Sequence, residues 1–402
     1  SNNINSSGFS FDEVFDMMGG NARSISFNSN GSFSINGNGF GSNSGITKSE
    51  TAGFNFVNEW DNEMELSTDY FYGRNDTETR TRIERENILP DSRYFTNSLS
   101  SSNLVNDSHR ANLRYEVEFD TLTKLSMAPR FNANIGTSFR NRNEETLDEN
   151  MNLQNTSIID ETEDLNSASF SNNMDFIKRF GSRGSYLQLD INHSHSNQEN
   201  ENVFFSQTSF INAPEDNLIQ DQLIDQDENS NSFGVGISKR SVLADQLFLD
   251  LNYDFSNSKS RNTRNVFDAV DGDYTNFNEL LSNDFEVKSY KHTPNAGINY
   301  EGEVWRIDTE VGLLSTTLQT ENFIEEVTFD NTYNNIFIDA DVRYSIERSK
   351  SISLGYSTNA DVPSVRQLQP VEDRTNPLNI IVGNPELEPT FNQRINFNFR
   401  NF

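Results

Sequence analysis

Apolar and polar residues alternate one for one in segment after segment of this chain, which is the period of a β-strand with two unlike faces. Leu113, Tyr115, Val117 and Phe119 alternate with Arg114, Glu116, Glu118 and Asp120. Leu247, Leu249, Leu251, Tyr253 and Phe255 enclose Asp250, Asn252 and Asp254. Ile336, Ile338, Ala340, Val342, Tyr344 and Ile346 alternate with Asp339, Asp341, Arg343, Ser345 and Glu347. Weaker examples span 64–72, 131–139, 187–191, 305–313, 352–358 and 395–399. Each run is about 9–12 residues long, close to the length of strand that crosses a bilayer at a tilt.

The runs are joined by two kinds of connection that alternate strictly. Short ones lie at 58–63, 120–129, 178–185, 238–245, 300–305 and 347–351. Long polar stretches lie at 74–109, 141–167, 197–230, 258–293, 317–333 and 359–390, and these read as loops. An outer-membrane barrel has short periplasmic turns and long extracellular loops. Charge sorts the same way: Lys178, Arg179, Arg183, Lys239, Arg240, Arg348 and Lys350 sit in short turns, whereas EETLDEN, IIDETED and IQDQLIDQDEN sit in long stretches. About thirteen strands follow from this count, or fourteen if SISFNSNGSFSING (24–37) is one.

Composition narrows the class. Only 33% of the 402 residues are hydrophobic and the mean hydropathy is −0.71, too little for a large soluble core. With a net charge of −30 this would suit a disordered chain, but 32 Phe and 12 Tyr would not. A transmembrane β-barrel reconciles the two, because only every second strand residue meets lipid. No cysteine is present, so disulfides and thiolate metal sites are excluded. No apolar run approaches the roughly 18 residues of a spanning helix. The first ten residues have no basic start or apolar centre, so they are not read as a signal peptide, and the chain is expected to be mature or a fragment. With 61 acidic against 31 basic residues, nucleic acid is not an expected partner.

On the inward parity Glu63, Glu65, Asp69, Asp308 and Glu310 join the substrate-binding candidates Glu116, Glu118, Asp250, Asp254, Asp339 and Asp341, all expected to face a water-filled lumen. Charge there tunes which solutes enter. The bland alternative is that so acidic a chain puts carboxylates wherever polarity is allowed. Tyr70, Tyr72, Tyr115, Trp60, Trp305, Tyr300, Tyr344 and Tyr356 fall near strand ends, where amphipathic rings form interfacial belts. His193 and His195 share one strand face on the outward parity and could in principle ligate one metal, but a polar rim is the better reading. Asp268, Asp271 and Asp273 look like part of a calcium loop but miss its spacing. GNGFG (37–41) leads to no helix, and no catalytic motif is present, so neither a cofactor nor enzymatic activity is expected.

Pro363, Pro370, Pro377, Pro385 and Pro389 lie in one stretch of a chain with nine prolines. Proline cannot donate to a ladder, so this stretch is a stiffened extracellular loop. Its elements are Pro363-Ser364, Gln367-Leu368-Gln369-Pro370, Asn376-Pro377-Leu378, and Gly383, Asn384 and Pro385 leading to Pro389. With FIKRFGSRGSYLQLDIN (176–192) and 45–72, they resemble TonB-dependent receptor barrels, most closely the Bacteroidetes outer-membrane barrel family. That resemblance implies an all-β antiparallel barrel of about 22 strands, of which this chain supplies the middle portion, without a visible plug. It implies outer-membrane lipids as surroundings, TonB as partner if the full chain has a plug, and a surface lipoprotein of the SusD kind. The expected organisation is a Ser/Asn/Gly-rich segment over 1–44, flexible or forming the first strand or strands, and barrel strands over 45–402 with long acidic loops. The expected role is uptake of a solute; the alternative is a receptor-like barrel serving as a docking subunit of a larger outer-membrane complex. The 391–402 strand is expected not to pair with the first strand of the same chain.

Overall fold

The computed structural model of the chain describes residues 25–27, 33–35, 38–40 and 45–401, apart from 61–62, 90–91, 182–183, 348–349, 364, 369–371, 374–380 and 385. Three short strands, β1 (Ile25–Phe27), β2 (Phe33–Ile35) and β3 (Asn38–Phe40), pair antiparallel as a sheet of their own. The possible fourteenth strand, 24–37, lies partly outside the described residues.

The main sheet opens with β4 (Ile46–Trp60), β5 (Met64–Ile88), β6 (Arg93–Asp120), β7 (Thr123–Met127) and β8 (Arg130–Leu147). It continues with β9 (Leu153–Arg179), β10 (Tyr186–Phe210), β11 (Leu218–Ala244), β12 (Leu247–Val270) and β13 (Asp273–Phe277). Then come β14 (Asn283–Glu301), β15 (Trp305–Asn322), β16 (Val327–Glu347) and β17 (Lys350–Asp361). A helical turn, α1 (Val365–Leu368), and a short pair, β18 (Glu372–Asp373) with β19 (Ile381–Val382), precede the last strand, β20 (Thr390–Asn401). Successive long strands pair antiparallel from β4 to β20, an up-and-down meander. β7 and β8 are one crossing interrupted at Ala128 and Pro129, since both lie between β6 and β9. The ladder survives the break because the Leu113 N–H donates to the Pro129 carbonyl (2.9 Å) and the Ala128 N–H to that of Asn173 (2.9 Å). β13 only folds back on β12, so among the described residues thirteen strands cross, as the pattern predicts. Among the described residues β4 and β20 each have a partner on one side only and do not pair with each other.

The register shows why this is a membrane sheet. Residues directly opposite in a ladder share a face, and the apolar residues of successive strands fall opposite one another. Trp305, Ile307, Val311 and Leu313 oppose Tyr344, Val342, Ile338 and Ile336. Val342 and Tyr344 then oppose Leu354 and Ile352, which oppose Phe397 and Phe399. On the other side Leu249 opposes Ile298, Tyr253 and Phe255 oppose Ile237 and Val235, and these oppose Leu189 and Ile191. The band reaches Met174 and Phe176, Met127 and Leu125, Tyr115 and Val117, then Leu66 and Met64. Its width on β12 is the nine residues from Leu247 to Phe255, which matches one crossing. This band is bare. Ile336 is 63% and Phe397 69% exposed, and among the described residues the buried hydrophobic ones are only Val266, Leu318, Ala360 and Leu368. A soluble protein would expose far less contiguous apolar surface. Among the described residues no helix is long and apolar enough to cross a membrane, which leaves crossing by strands untouched.

The long polar stretches are corrected. They are mostly strand, not loop: the connection inside 74–109 shrinks to 89–92, that inside 141–167 to 148–152, and that inside 197–230 to 211–217. Beyond the band both faces of a strand meet water, so the apolar alternation ends while the backbone ladder continues. Strands of 24 to 28 residues in β6, β9, β10, β11 and β12 are the result. The connection placed at 238–245 also moves, to Asp245 and Gln246 between β11 and β12. Tight turns absorb the positive φ angles: Glu63, Met151, Gln246, Asp271 and Glu326 lie at 54–64°. Pro294 is an exception to the exclusion of proline from central strands; the ladder from β14 to β15 skips from His292 to Asn295 around it.

Candidate functional site

The face opposite the apolar band carries the chemistry. All six lumen candidates lie there: Asp250 and Asp254 on β12, Asp339 and Asp341 on β16, Glu116 and Glu118 on β6. The ladders bring them into rows. One row runs Asp254, Gly236, Asp190, Asp175, Ser126, Glu116, Glu65 and Glu59 across β12, β11, β10, β9, β7, β6, β5 and β4. A second runs Asp250, Gly297, Glu310, Asp339 and Ser357. Asp341 stands directly opposite Asp308.

Their partners divide the candidates. Arg240 grips Asp250 with two hydrogen bonds of 2.7 Å, a fork geometry suited to a carboxylate. Glu116 is held by Lys124 and by Arg114 (3.0 Å), and Lys124 also reaches Glu118 at 3.5 Å. Asp254, Asp339 and Asp341 form no salt bridge among the described residues. Asp175 and Asp190 were not among the sequence candidates. The alternation Met174-Asp175-Phe176 and Leu189-Asp190-Ile191 is the signal that points to them.

On the apolar side the rings mark both edges of the band. Trp305 and Tyr344 stack at 4.6 Å near the short turns. At the other edge Tyr70 bonds His109 Nδ1 (2.8 Å) and Tyr253 bonds His292 Nδ1 (2.8 Å). His193 packs against Phe170 at 6.0 Å on the same apolar side, and His193 and His195 form no metal cluster. The three aspartates of DAVDGD do not converge either. Asp271 and Gly272 (φ 54° and 91°) form the tight hairpin between β12 and β13, the Asp-Gly signature of such turns. Asp268 accepts from Gln222 (2.7 Å) and Asn278 (2.8 Å). Among the described residues no group of three potential ligands could hold a metal.

Outside the band two acidic sites have a clear electrostatic state. Glu286 is 8% exposed between Lys259 (2.9 Å) and Lys288 (3.1 Å). Burial pushes its carboxyl up, but hydrogen bonds from the two ammonium groups outweigh that and hold it below the ordinary range. Asp148, in the turn 148–152, accepts the backbone N–H groups of Asn152 and Asn150, both at 2.8 Å, and these hold it below the ordinary aspartate range.

Of the proline-rich stretch, Pro370, Pro377 and Pro385 lie outside the described residues. The rest bends inward. The Asn384 N–H donates to the Gln367 carbonyl (2.6 Å), and Gly383, Asn384 and Glu386 begin a turn capped by Asn384 Oδ1 (3.0 Å). Tyr333, on the polar face of β16, donates its hydroxyl to the Leu387 carbonyl (3.2 Å). Leu387 is therefore tied to the polar face, and Thr316, Leu318, Thr320 and Asn322 on that face of β15 are buried.

Residues 178–402 match the model of the outer membrane protein beta-barrel family. The chain belongs to that family. Its place is accordingly the bacterial outer membrane, with the apolar band against lipid. No curated protein matches the chain in sequence. Among solved structures it is similar to the unliganded ferric citrate transporter FecA, at TM-score 0.37 and 8% identity, over 78% of this chain and 44% of that one. It is also similar to BauA, the ferric preacinetobactin receptor of Acinetobacter baumannii, at TM-score 0.23 and 9% identity, over 78% and 68%. The chain thus spans less than half the length of FecA. At these scores neither likeness carries the assignment, which rests on the family match and the sheet.

Proposed function

We propose that this chain forms part of the wall of a TonB-dependent receptor barrel of the Bacteroidetes kind, which takes up a polar solute across the outer membrane. The observation that carries the reading is the contrast of faces. One face is a predominantly apolar band, interrupted on β11 by Lys239, while the other presents rows of carboxylates, amides and hydroxyls at the same depth. Such a face is stable at membrane depth only against water or other polar groups, as in a hydrated passage. Asp254, Asp339 and Asp341 line that passage, and Leu387, bonded to Tyr333, leans over it. TonB engagement needs a plug elsewhere in the full-length protein, and a SusD-like lipoprotein would dock on the loops.

The test compares depletion of medium solutes by wild-type cells, cells lacking this gene and cells lacking TonB. The expected result is that at least one polar solute stays in the medium of both mutants alike. If no solute depends on the gene while its loss disperses other outer-membrane proteins, the docking role replaces uptake.

A further inference from the structure

Five strands build a cavity that the carboxylate rows do not reach. Thr47, Asn75, Thr77, Leu104, Asn106, Gly136, Ser138, Glu163 and Leu165 line it, from β4, β5, β6, β8 and β9. All lie on the polar face, in two adjacent rows: Asn75, Asn106, Gly136 and Leu165 oppose one another, as do Thr47, Thr77, Leu104, Ser138 and Glu163. Tyr72 ends the apolar band on β5, so the cavity begins three residues further out, in the vestibule outside the lipid. Gly136 makes its floor. A side chain there would rise between Asn106 and Leu165 and fill the space.

The volume is about 360 Å³, at the lower end of the roughly 300–1,000 Å³ of small-ligand sites. The lining is the informative part. In a chain with 23% charged residues, the only charged lining residue is Glu163. Both its oxygens are engaged: Oε1 accepts from Asn200 Nδ2 (2.9 Å) and Oε2 from Ser138 Oγ (3.4 Å). Arg140, one row further out, is tied to Glu161 (3.2 Å). No cation lines the cavity to hold an anion, and the carboxylate is already satisfied. What remains open are donors and acceptors of neutral groups. Asn106 has no side-chain hydrogen bond among the described residues. A ligand hydroxyl in the cavity would pair with that amide. Leu104 and Leu165 offer apolar contact to C–H surfaces.

We infer that this cavity is a binding subsite for a neutral, hydroxyl-bearing solute of one or two sugar rings, set in the vestibule wall. The subsite deepens the uptake reading by naming a substrate class, and it selects against anionic ligands. Full-length protein in nanodiscs would be presented to an array of neutral, acidic and amino oligosaccharides, with neutral dipeptides alongside. Neutral saccharides should be retained in preference to the other three. Gly136→Val, which fills the floor with a residue suited to a strand, and Asn106→Leu should each weaken that binding at least about tenfold, the equivalent of one or two hydrogen bonds. Ser256→Ala, on the polar face of β12 far from the cavity, should leave it unchanged. Retention of anions, amines or peptides instead, no retention at all, or equal binding by Gly136→Val would overturn the inference. Saccharide binding without TonB-dependent uptake would sink the transport reading alone. Uptake of a solute indifferent to both variants would sink the subsite alone.

Discussion

Leu251 and Asn252 are neighbours in sequence and, in this sheet, belong to different solvents. Leu251 is the centre of the band on β12, 46% exposed between Lys239 and Ala296. Arg at this position must carry its charge into hydrocarbon, at a cost of about 2–4 kcal/mol near the midplane. Lys239 directly opposite adds like-charge repulsion, so the upper half of that range is expected. Asn252 faces the other way and donates to Asn295 Oδ1 (2.7 Å). Arg there loses that hydrogen bond, worth about 1 kcal/mol, but gains two flanking carboxylates, Asp250 and Asp254, on the same face. The net effect should be within about 1 kcal/mol of zero. Equilibrium urea titrations of the complete barrel refolded into phospholipid vesicles resolve a difference of this size, since about 2 kcal/mol is a roughly thirtyfold change in the folding constant. Leu251→Arg should lower the midpoint clearly and Asn252→Arg barely. Equal destabilisation, or the reverse order, would refute the assignment of faces.

Sidedness is open to single-cysteine labelling because the native chain has no thiol: Asp271→Cys in the β12–β13 turn should react with an impermeant maleimide on intact cells, and Glu303→Cys, between β14 and β15, only after lysis. Glu286 has a depressed folded-state pKa, so its stabilising contribution is complete above the unfolded value and is lost as pH falls through the folded one. Glu286→Gln should therefore destabilise the protein at neutral pH and abolish that part of the acid sensitivity; an unchanged acid profile would contradict the ion-pair assignment. The Asp148 carboxyl carbon should titrate below the ordinary aspartate range by NMR, and a value at or above that range would show that the Asn150 and Asn152 N–H bonds do not form in solution.

How far the sequence could be read depended on where each residue lies relative to the lipid. Within the band the alternation Leu249-Asp250-Leu251-Asn252 is imposed by hydrocarbon on one side and water on the other, and strands, faces and short turns follow from it. Above the band that contrast vanishes. The stretch from Asn197 to Ser230 looks like a loop because nothing apolar repeats, yet Asn197–Phe210 and Leu218–Ser230 are paired strand, held by backbone bonds to which side-chain polarity is indifferent. The cavity around Gly136 was illegible for a related reason: its residues come from the polar stretches 74–109 and 141–167, the weakly alternating run 131–139 and the start of β4, and only the register brings them together. DAVDGD is ambiguous in sequence, since an Asp-Gly pair serves a hairpin as readily as a calcium loop. The inward bend of the proline-rich segment rests on Tyr333 and Leu387, 54 residues apart, a pairing that no local pattern announces.

The central claim is that one face of this sheet lies in lipid and the other in water. A cysteine and spin-label scan from 247 to 255 in the full-length protein in vesicles, read against oxygen and a water-soluble paramagnetic reagent, tests it most directly. Labels at Leu249, Leu251 and Tyr253 should favour oxygen, and those at Asp250, Asn252 and Asp254 the water-soluble reagent, alternating residue by residue. An accessibility profile without that alternation, or with the faces exchanged, would contradict the account.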